Sequence, residues 1–415
     1  MATLQSILLY IFSFVALYVQ VFFLLTALRK RSQVVALTVP ASDANWPAVT
    51  VIVPCWNEEQ TVVKTVNSLF ALDYPKDKLF IKVVDDGSTD KTWSEMQQFV
   101  NFSNIELIRK ENGGKHTAMN RAIESTTTEY VGCLDADAFA APDALQKIMW
   151  HFLNNDKAMA VSPSILAYQP KGFFQKAQQV EYDMSVFIKK VLGLINGIHV
   201  TPGPFSIYRK KVFDDLGYYR KAHNAEDMEI AYRMQVNGYP IVQCHDAFVY
   251  TVTPNSLKKL YKQRVRWMYG FINNSLDYKS YLLKPRYGVF SMFTVPSSVI
   301  ILFGAVIMTF FMLASFAESL FHFIERMTVT NFYIPSISPG HFSFFYVDAR
   351  PVTLIMIVIY ALLITTILIG QKMREKKPIP TLSLVYFVAI YSFISPVWLV
   401  KAVYNTVFSR ETKWR

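Results

Sequence analysis

The sequence is short of charged residues and of cysteine. Only 18% of its 415 residues are charged, and the three cysteines are Cys55, Cys133 and Cys244. An odd number of cysteines, two of them in apolar strand-like runs, predicts reduced and buried structural thiols of the kind found in cytosolic domains. A long arginine run with interleaved aromatic residues is also missing. The net charge of +11 therefore predicts contact with anionic lipid rather than with nucleic acid.

Internal repeats and low-complexity linkers are absent as well, and apolar residues dominate instead. The chain is 52% hydrophobic and 15% aromatic, which predicts a folded domain combined with a membrane region. Residues 1–28 carry no charge, whereas a secretory signal has a basic start and an apolar core of only about 7–15 residues. This segment is expected to be a retained transmembrane helix. The basic run Arg29–Lys30–Arg31 behind it predicts an external N-terminus and a cytoplasmic following segment.

Three further charge-free stretches come after position 286, and each has the roughly 20 residues that a bilayer requires. They are 287–317, 351–371 and 378–400. The basic loop 371–378 is expected in the cytoplasm and the aromatic loop 318–350 outside. If the last stretch spans the membrane, the basic tail 408–415 lies outside, against the charge rule. That stretch is therefore either a full span or a re-entrant segment or short hairpin.

Strand-like and helical periodicities alternate between about 46 and 275. This alternation predicts an α/β domain with a largely parallel sheet, whose ligands bind beyond the C-terminal ends of the strands. Polar clusters fall at those ends, in "PCWNEE", "DDGSTD", "ENGGKH" and "DADAF". The segment 257–271 mixes basic and aromatic residues at helical spacing, which predicts an interfacial amphipathic helix.

The most specific of these clusters contains Asp135 and Asp137. They are two residues apart at the end of a predicted strand, so both side chains are expected on one face. Two such carboxylates can hold Mg²⁺ or Mn²⁺, which complete their shell with substrate phosphate and water. A solvated strand end is the alternative. The residues favour metal or nucleotide binding.

The other polar clusters are ambiguous by themselves. Asp85 and Asp86 suit hydrogen bonds from a base or ribose, but they also suit a turn or cap. Gly113, Gly114 and Lys115 precede a predicted helix, where free backbone N–H groups and a cation favour an anion. The spacing of a phosphate-binding P-loop is missing there, and a simple helix start explains the segment as well.

The segment "HNAEDMEIAYRMQ" raises a similar question at Glu226, Asp227 and Glu229. The helix dipole stabilises carboxylates in a first turn, so these residues need no chemical role. Local rules favour this helix-start explanation over a catalytic base.

Taken in order, seven segments resemble the processive, membrane-embedded family 2 glycosyltransferases, which include the hyaluronan, poly-N-acetylglucosamine, chitin and cellulose synthases. The segments are "VIVPCWNEE", "DDGSTD", "GGKHTAMN", "LDADA", "TPGPFSIYRKKVF", "AEDMEIAYRMQ" and "QRVRW". The resemblance covers about 49–270. It implies an α/β GT-A (Rossmann-like) cytosolic domain inserted between transmembrane helices. The expected layout is a transmembrane helix at 1–31, the GT-A domain at 46–254, interfacial helices at 255–286 and about three membrane segments in 287–415.

The resemblance also implies roles on the donor side of the site. Asp86, with Asp85 beside it, matches the aspartate that contacts the nucleoside, and Asn57 and Glu58 match the neighbouring P-x-N-E positions. Lys115 matches a lysine near the nucleotide. Asp135 and Asp137 match the D-x-D pair, the second as the metal ligand for Mn²⁺ or Mg²⁺.

On the acceptor side the resemblance reverses the helix-start explanation. Asp227 becomes the base for the acceptor hydroxyl, and Glu226 shapes its surroundings or binds the acceptor. The loop that contains Gly203 and Pro204 is similar to the acceptor-side loop of hyaluronan and chitin synthases. Gln263, Arg266 and Trp267 match Q-x-x-R-W, whose members line the acceptor terminus and hold the diphosphate.

The function implied is an inverting transfer from a UDP-sugar to a growing β-linked polysaccharide, with the polymer passed across the membrane. The expected product contains an N-acetylhexosamine-type sugar. Transfer of one sugar to a lipid carrier or glycolipid is the first alternative, and an inactive nucleotide-sugar sensor the second. The expected partners are a UDP-sugar, a polysaccharide or lipid-linked acceptor and membrane lipids, with no nucleic acid. The expected location is the cell or inner membrane, with the catalytic domain in the cytoplasm.

Overall fold

The computed structural model describes residues 2–34, 45–330, 351–374 and 381–410. Eight strands form one sheet in this part of the chain: β1 Val49–Cys55, β2 Leu79–Asp86, β3 Ile105–Lys110, β4 Tyr130–Cys133, β5 Ala138–Ala140, β6 Ala160–Ala167, β7 Ile207–Arg209 and β8 Ile241–Thr251. The α-helices are α1 Ala2–Arg29, α2 Arg31–Val34, α3 Val62–Phe70, α4 Thr92–Met96, α5 Lys115–Glu124, α6 Ala144–Leu153, α7 Phe173–Leu194, α8 Lys211–Leu216, α9 Glu226–Val236, α10 Leu257–Asp277, α11 Val295–Val329, α12 Pro351–Arg374, α13 Thr381–Phe393 and α14 Ser395–Val407.

The strand order is β3-β2-β1-β4-β7-β6-β8-β5. Strands β1 to β4 pair in parallel, while β7 runs antiparallel between β4 and β6, and β5 runs antiparallel to β8. Strands β6 and β8 are parallel. The first half is thus the expected parallel sheet, and the second half is mixed. This confirms the predicted α/β fold.

Helices cover both faces of the parallel half. Val51 and Val53 of β1 belong to an apolar cluster with Val66 of α3, whereas Ile52 belongs to a second cluster with Met119 of α5. Because alternate side chains of a strand point to opposite faces, the two clusters lie on opposite sides of the sheet. The carboxyl ends of β1, β2 and β4 meet at one edge, where the polar residues follow.

The D-x-D segment is not an extended strand end. Strand β4 stops at Cys133, and the Ala138 N–H donates to the Asp135 carbonyl at 2.9 Å. This bond closes a turn that contains Asp135 and Asp137. The prediction that both side chains leave one face of a strand is therefore wrong, because the chain turns immediately after β4 to reach β5.

Strand β8 contains a large bulge. Ser162 of β6 lies opposite Gln243 and Ser164 opposite Phe248, so residues 244–247 of β8 face the single residue Pro163. Proline has no N–H to donate to a strand ladder. Strand pairing is therefore expected to break at Pro163. The Ser164 hydroxyl donates to the His245 carbonyl at 2.8 Å across the bulge.

Within the described ranges, three helices are long and apolar enough to cross a membrane, namely Leu4–Arg29, Phe290–Val329 and Pro351–Arg374. Helix α11 continues to Val329, so the predicted loop 318–350 is wrong for its first part, and residues 331–350 lie outside the described residues. The helix extends because residues 318–329 continue its α-helical hydrogen bonding without a proline or glycine.

Two compact units divide the chain. One comprises Met1–Phe22 and Ser297–Thr365, and the other Phe23–Pro296 and Thr366–Arg415, which contains the whole sheet. Inside the first unit a Cβ at Gly304 of α11 would lie 2.5 Å from the Phe12 ring of α1. Such small residues allow close packing of helices in a membrane.

The last apolar stretch is broken into two helices. Each of α13 and α14 has 13 residues, or about 20 Å of length, which is shorter than the hydrocarbon layer. The break lies next to Pro396 in the first turn of α14, where proline is tolerated. Neither helix alone has the length of a span, and the choice between a full span at 378–400 and a re-entrant segment or short hairpin stays a prediction. Helix α13 packs on α7, and α14 packs on α10.

Candidate active site

Asp86 is the last residue of β2, and nearby groups of the protein bind its carboxylate. Its carboxylate lies 2.6 Å from Lys110 Nζ and accepts the N–H groups of Gly113 at 3.1 Å and Gly114 at 2.8 Å. The glycine N–H groups that were expected to face an anionic ligand therefore bind Asp86. The reason is that β3 pairs beside β2 and brings the loop before α5 onto the end of β2.

Asp85 is fully buried and also partnered within the protein. Its Oδ2 lies 3.2 Å from Arg109 Nε, and its Oδ1 accepts the Ser88 N–H at 3.0 Å. We call Asp85 and Asp86 the β2 carboxylates. Cations and N–H groups from β3 and the following loops neutralise both of them.

Asn57 and Glu58 join the loop after β1 to the loop after β2. Asn57 has a left-handed backbone (φ 56°), and its Oδ1 accepts the Thr89 N–H at 2.9 Å. The Glu58 N–H donates to Thr92 Oγ1 at 2.7 Å, and Glu58 Oε2 accepts the Thr61 hydroxyl at 2.8 Å. The two residues thus lie beside the β2 carboxylates, as the motif order predicts.

Lys115 links the D-x-D turn to helix α9. Its Nζ is 2.6 Å from Asp135 Oδ1 and 3.3 Å from Glu226 Oε1, and its side chain is only 11% exposed. Burial lowers the pKa of Lys115, but Asp135 and Glu226 outweigh burial and raise that pKa well above its usual value. Lys115 is therefore a permanent cation between two segments that are far apart in sequence.

Asp227 lies next to this pair and is the most perturbed carboxylate of the site. Burial, and then the like charge of Glu226, raise the pKa of Asp227 to about 6, while Lys115 and Arg266 of α10 oppose the shift. We call Lys115, Asp135, Glu226, Asp227 and Arg266 the ion cluster. Its three carboxylates exceed its two cations, and a carboxylate of pKa near 6 suits proton transfer at neutral pH.

The start of α9 offers Asp227 little as a helix cap. Its N-cap is Ala225, which makes no side-chain capping bond, and Asp227 Oδ1 accepts only the adjacent Met228 N–H at 2.9 Å. The preceding residues 222–224 all have positive φ, a conformation that costs free energy in residues other than glycine. His223 Nε2 contacts Asp277 Oδ2 of α10 at 2.9 Å and holds this run against the helix.

The loop before β7 packs against the ion cluster. A Cβ at Gly203 would lie 2.6 Å from Lys115 Nζ and 3.2 Å from both carboxylate oxygens of Asp135. Only glycine leaves room for this ion pair. Pro204 follows in the same turn, and Thr201 Oγ1 donates to the Asp227 carbonyl at 2.9 Å. The loop therefore contacts both the Lys115–Asp135 ion pair and Asp227.

Helix α10 supplies the Q-x-x-R-W residues. Arg266 donates to the Asn224 carbonyl at 3.4 Å, and its charge acts on Asp227. Gln263 is half-buried, and its Oε1 has no hydrogen-bond partner among the described residues. The Trp267 ring lies 4.3 Å from the Arg264 guanidinium. The structure thus brings the charge of Arg266 close to Asp227, and the acceptor and diphosphate roles of Q-x-x-R-W stay predictions.

Sequence analysis missed two cations near the site. Arg264 is buried, and it lies 2.5 Å from Glu181 of α7 and 3.2 Å from the Tyr391 hydroxyl of α13. Its neighbour Trp267 is therefore held by a residue in an unassigned position of the motif. Burial lowers the pKa of Lys189 in α7 to about 8, against the charge of Asp227. The lysines of α7 carry no sequence signal that separates them from an ordinary solvated face.

Asp137 completes the D-x-D turn. It is half-buried, and its carbonyl accepts the Val252 N–H at 3.3 Å. Burial raises the pKa of Tyr182 to about 12, and the Asp137 charge contributes to that rise. Asp135 and Asp137 offer oxygen ligands only, which fits Mg²⁺ or Mn²⁺ and leaves most ligand positions to phosphate and water.

Residues 50–217 match the glycosyl transferase family 2 model. The chain is 29% identical over 236 residues to a poly-beta-1,6-N-acetyl-D-glucosamine synthase of Staphylococcus epidermidis, which covers 56% of this chain and 57% of that protein. It is 30% identical over 225 residues to the synthase of the same description from Staphylococcus aureus, covering 54% of each. The matches span somewhat more than half the length of these relatives.

Among solved structures, the chain is similar to a mannosyltransferase from Pyrobaculum calidifontis in complex with GDP-Man and Mn²⁺. The TM-score is 0.62 at 18% identity, and the likeness covers 97% of this chain and all of that one. At this identity the likeness supports the GT-A fold alone. Residues 50–217 are thus similar to a glycosyl transferase family 2 domain, and helices long and apolar enough to cross a membrane lie on both sides of them in the chain.

Proposed function

We propose that this protein is an inverting glycosyltransferase that extends a β-linked polysaccharide from a UDP-sugar at the cytoplasmic face of the membrane. One observation carries the proposal. A half-buried aspartate, Asp227, has a pKa raised to about 6 and lies beside Lys115, Asp135 and Arg266 at the ligand-binding edge of the sheet. That combination supports a proton acceptor next to a site for an anionic donor.

The donor site follows from the same edge. Asn57, Glu58 and the β2 carboxylates would face the nucleoside, and Lys115 would lie near the diphosphate. Asp137, with Asp135, would hold Mg²⁺ or Mn²⁺ through carboxylate oxygens. The bound ion would neutralise charge on the departing diphosphate. The Lys115–Asp135 ion pair would tie the metal-binding turn to α9 at the same time.

Transfer would be a direct displacement at C1 of the donor sugar. The acceptor oxygen bonds to C1, the bond from C1 to the diphosphate oxygen breaks, and Asp227 takes the acceptor hydroxyl proton. Arg266 would stabilise the charge that develops on the diphosphate. Glu226 keeps the Asp227 pKa high, and Gln263, Trp267, Gly203 and Pro204 would shape the acceptor side. Attack from the face opposite the leaving group inverts C1, which yields the β-linkage.

Two features support a polymer as the product. The chain is similar to poly-beta-1,6-N-acetyl-D-glucosamine synthases over somewhat more than half of its length. Three helices of this chain can cross a membrane, which a polymer-exporting enzyme requires. An N-acetylhexosamine is therefore the proposed sugar, and transfer across the membrane the proposed fate of the chain.

The test is incorporation from a panel of donors. Purified full-length protein in lipid nanodiscs is incubated with UDP-GlcNAc, UDP-Glc, UDP-GlcA or GDP-Man, with Mn²⁺ or Mg²⁺ or with EDTA. We expect a ladder of products on a sizing gel from UDP-GlcNAc, and no product in EDTA. A single sugar on lipid would contradict polymer synthesis. Hydrolysis or transfer at an undiminished rate by metal-free enzyme would contradict the metal role of Asp137.

A further inference from the structure

The bulge in β8 gathers side chains of metal-binding type away from the active site. Cys244 and Asp246 come from the bulge and His151 from α6, and their ligand atoms all lie within 4.8 Å of one another. Cys244 Sγ is 3.5 Å from Asp246 Oδ1. Within the described ranges no other three residues of these types come so close together. None of the three belongs to the ion cluster or to the D-x-D turn.

A buried histidine beside this group lacks a partner. His245 is 5% exposed, and its Nδ1 makes no hydrogen bond to any residue that the structure describes. That nitrogen lies 3.8 Å from Asp246 Oδ1. Buried polar atoms are nearly always satisfied, and metal-binding carboxylates typically have such a neighbour that orients them. His245 is therefore close enough to orient the Asp246 carboxylate.

Two lysines are the cations that face the group. Lys147 of α6 is 2.6 Å from Asp143 and donates to the Asp246 carbonyl at 3.0 Å, so its charge is already paired. Lys190 of α7 is buried, and burial lowers its pKa while Cys244 and Asp246 oppose that shift. Lys190 is thus a competing cation that the uptake of a second positive ion would disfavour. It offers a direct handle on the site.

We propose that His151, Cys244 and Asp246 bind a zinc-type divalent ion, with water as the fourth ligand. A nitrogen, sulfur and oxygen set is borderline-soft and suits Zn²⁺ rather than Mg²⁺. Tetrahedral Zn²⁺ separates its ligand atoms by about 3.3–3.8 Å, so side-chain shifts of about 1 Å suffice. The Cys244 thiol proton leaves to solvent when the thiolate binds.

The site would fasten the bulge to helix α6. Residues 244–247 lack a regular partner on β6, so their position depends on side-chain contacts. A metal bound by one residue of α6 and two of the bulge binds the folded state alone and stabilises it. This role is independent of the proposed glycosyl transfer, which uses the oxygen ligands Asp135 and Asp137.

The test is Co²⁺ binding to the full-length protein in nanodiscs, with excess Mg²⁺ to saturate oxygen sites. We expect one equivalent of Co²⁺ with a thiolate-to-cobalt absorption band that Zn²⁺ abolishes. Cys244→Ser should remove the band and weaken Zn²⁺ binding by about 100-fold or more, since even outer-shell changes cost about 10–100-fold. Cys55→Ser is the matched control, because Cys55 is also buried and lies in no such group.

Two further variants keep the test decisive if Cys244→Ser fails to fold. His151→Ala changes a half-buried ligand on a different element and should also weaken Zn²⁺ binding. Lys190→Met removes the competing cation and should tighten it by about 10-fold. Binding without the thiolate band, a band that survives in Cys244→Ser, unchanged Zn²⁺ affinity in His151→Ala, or weaker binding in Lys190→Met would each overturn the proposal.

Discussion

Two groups of acidic residues lie at the ligand-binding edge of the sheet, and they differ in how their charge is balanced. The β2 carboxylates are each paired with a cation, and Asp85 accepts one backbone N–H group and Asp86 two. The ion cluster holds three carboxylates against two cations, and burial with like charge raises the pKa of Asp227 to about 6. Each carboxylate of the first group has its own cation, whereas in the second group Asp227 keeps a raised pKa although the charges of Lys115, Arg266 and Lys189 act on it.

This difference separates a structural and recognition role from a chemical one. A satisfied carboxylate keeps a fixed charge and geometry, so it can present a defined surface to a nucleoside. A cluster that contains a carboxylate of raised pKa has protonation states that are close in free energy. Such a carboxylate can accept a proton during turnover. The predictions below test whether the two groups respond to mutation in opposite ways.

The largest effect is expected at Asp227. Asp227→Asn should lower transfer by about 10²–10⁴-fold, the usual loss for a general base, while donor affinity stays within a few-fold. The same change should raise the free energy of unfolding at pH 7 by about 1–3 kcal/mol, because the ionised form is disfavoured in the fold. Product formation, donor titration and thermal unfolding measure the three quantities.

That gain in stability distinguishes the two explanations of the α9 start. If Asp227 serves the helix terminus, its replacement removes a favourable dipole contact and lowers the unfolding temperature. Near-normal transfer in Asp227→Asn, or loss of donor binding together with the fold, would rule out the base role.

Gly203→Ala should have the next largest effect. The new Cβ would lie 2.6 Å from Lys115 Nζ, so the end of the Lys115 side chain must shift within the ion cluster, and misplacement by about 1 Å costs up to about 100-fold in rate. Gly172→Ala is the control, since a Cβ there meets nothing within 4 Å. Equal activity of the two variants would show that the loop does not constrain the cluster.

The pH dependence of transfer should reflect the raised pKa of Asp227. Transfer requires ionised Asp227, so kcat/KM should fall about tenfold per pH unit below about pH 6. Glu226→Gln removes a like charge and should move this acid limb to lower pH. Asp86→Asn changes a carboxylate of the balanced group and should leave the limb in place. A limb that moves equally in both variants would contradict the distinction.

Asp86→Asn should have the smallest effect on the chemical step and a clear effect on stability. The change weakens the pairing of Lys110 and the bonds from Gly113 and Gly114, and disruption of such buried contacts costs about 1–3 kcal/mol. We therefore expect a lower unfolding temperature, opposite in sign to Asp227→Asn. Donor affinity measured on the folded fraction tests the proposed nucleoside contact separately.

The sequence allowed prediction of the parallel half of the sheet and of the order of polar clusters, because apolar periodicity and strand ends are local features. It could not predict that Gly113 and Gly114 bind Asp86, since that contact depends on strand pairing. It also misjudged the D-x-D turn. Local rules favoured a helix start at Asp227, because burial, the largest cause of its raised pKa, depends on the tertiary fold, as does the approach of Lys115 and Asp135.

The mixed half of the sheet was beyond local reasoning for a similar reason. The β8 bulge faces Pro163 of another strand, and His151 meets Cys244 only once that bulge has formed. The roles proposed for Asn57, Glu58, Gln263 and Trp267 remain predictions, since they concern molecules that bind from outside.

The break between α13 and α14 bears on the number of membrane crossings. If these two helices form no span, the described residues offer three crossings, which would place α1's start and α14's end on opposite sides, whereas four would place them on the same side. With Arg29–Lys30–Arg31 in the cytoplasm, three crossings would place the end of α14, which packs on α10, on the side of the catalytic domain. Arg410 is thereby expected in the compartment that attracts basic residues, and a reporter fused behind it would share that compartment with the nucleotide sugar.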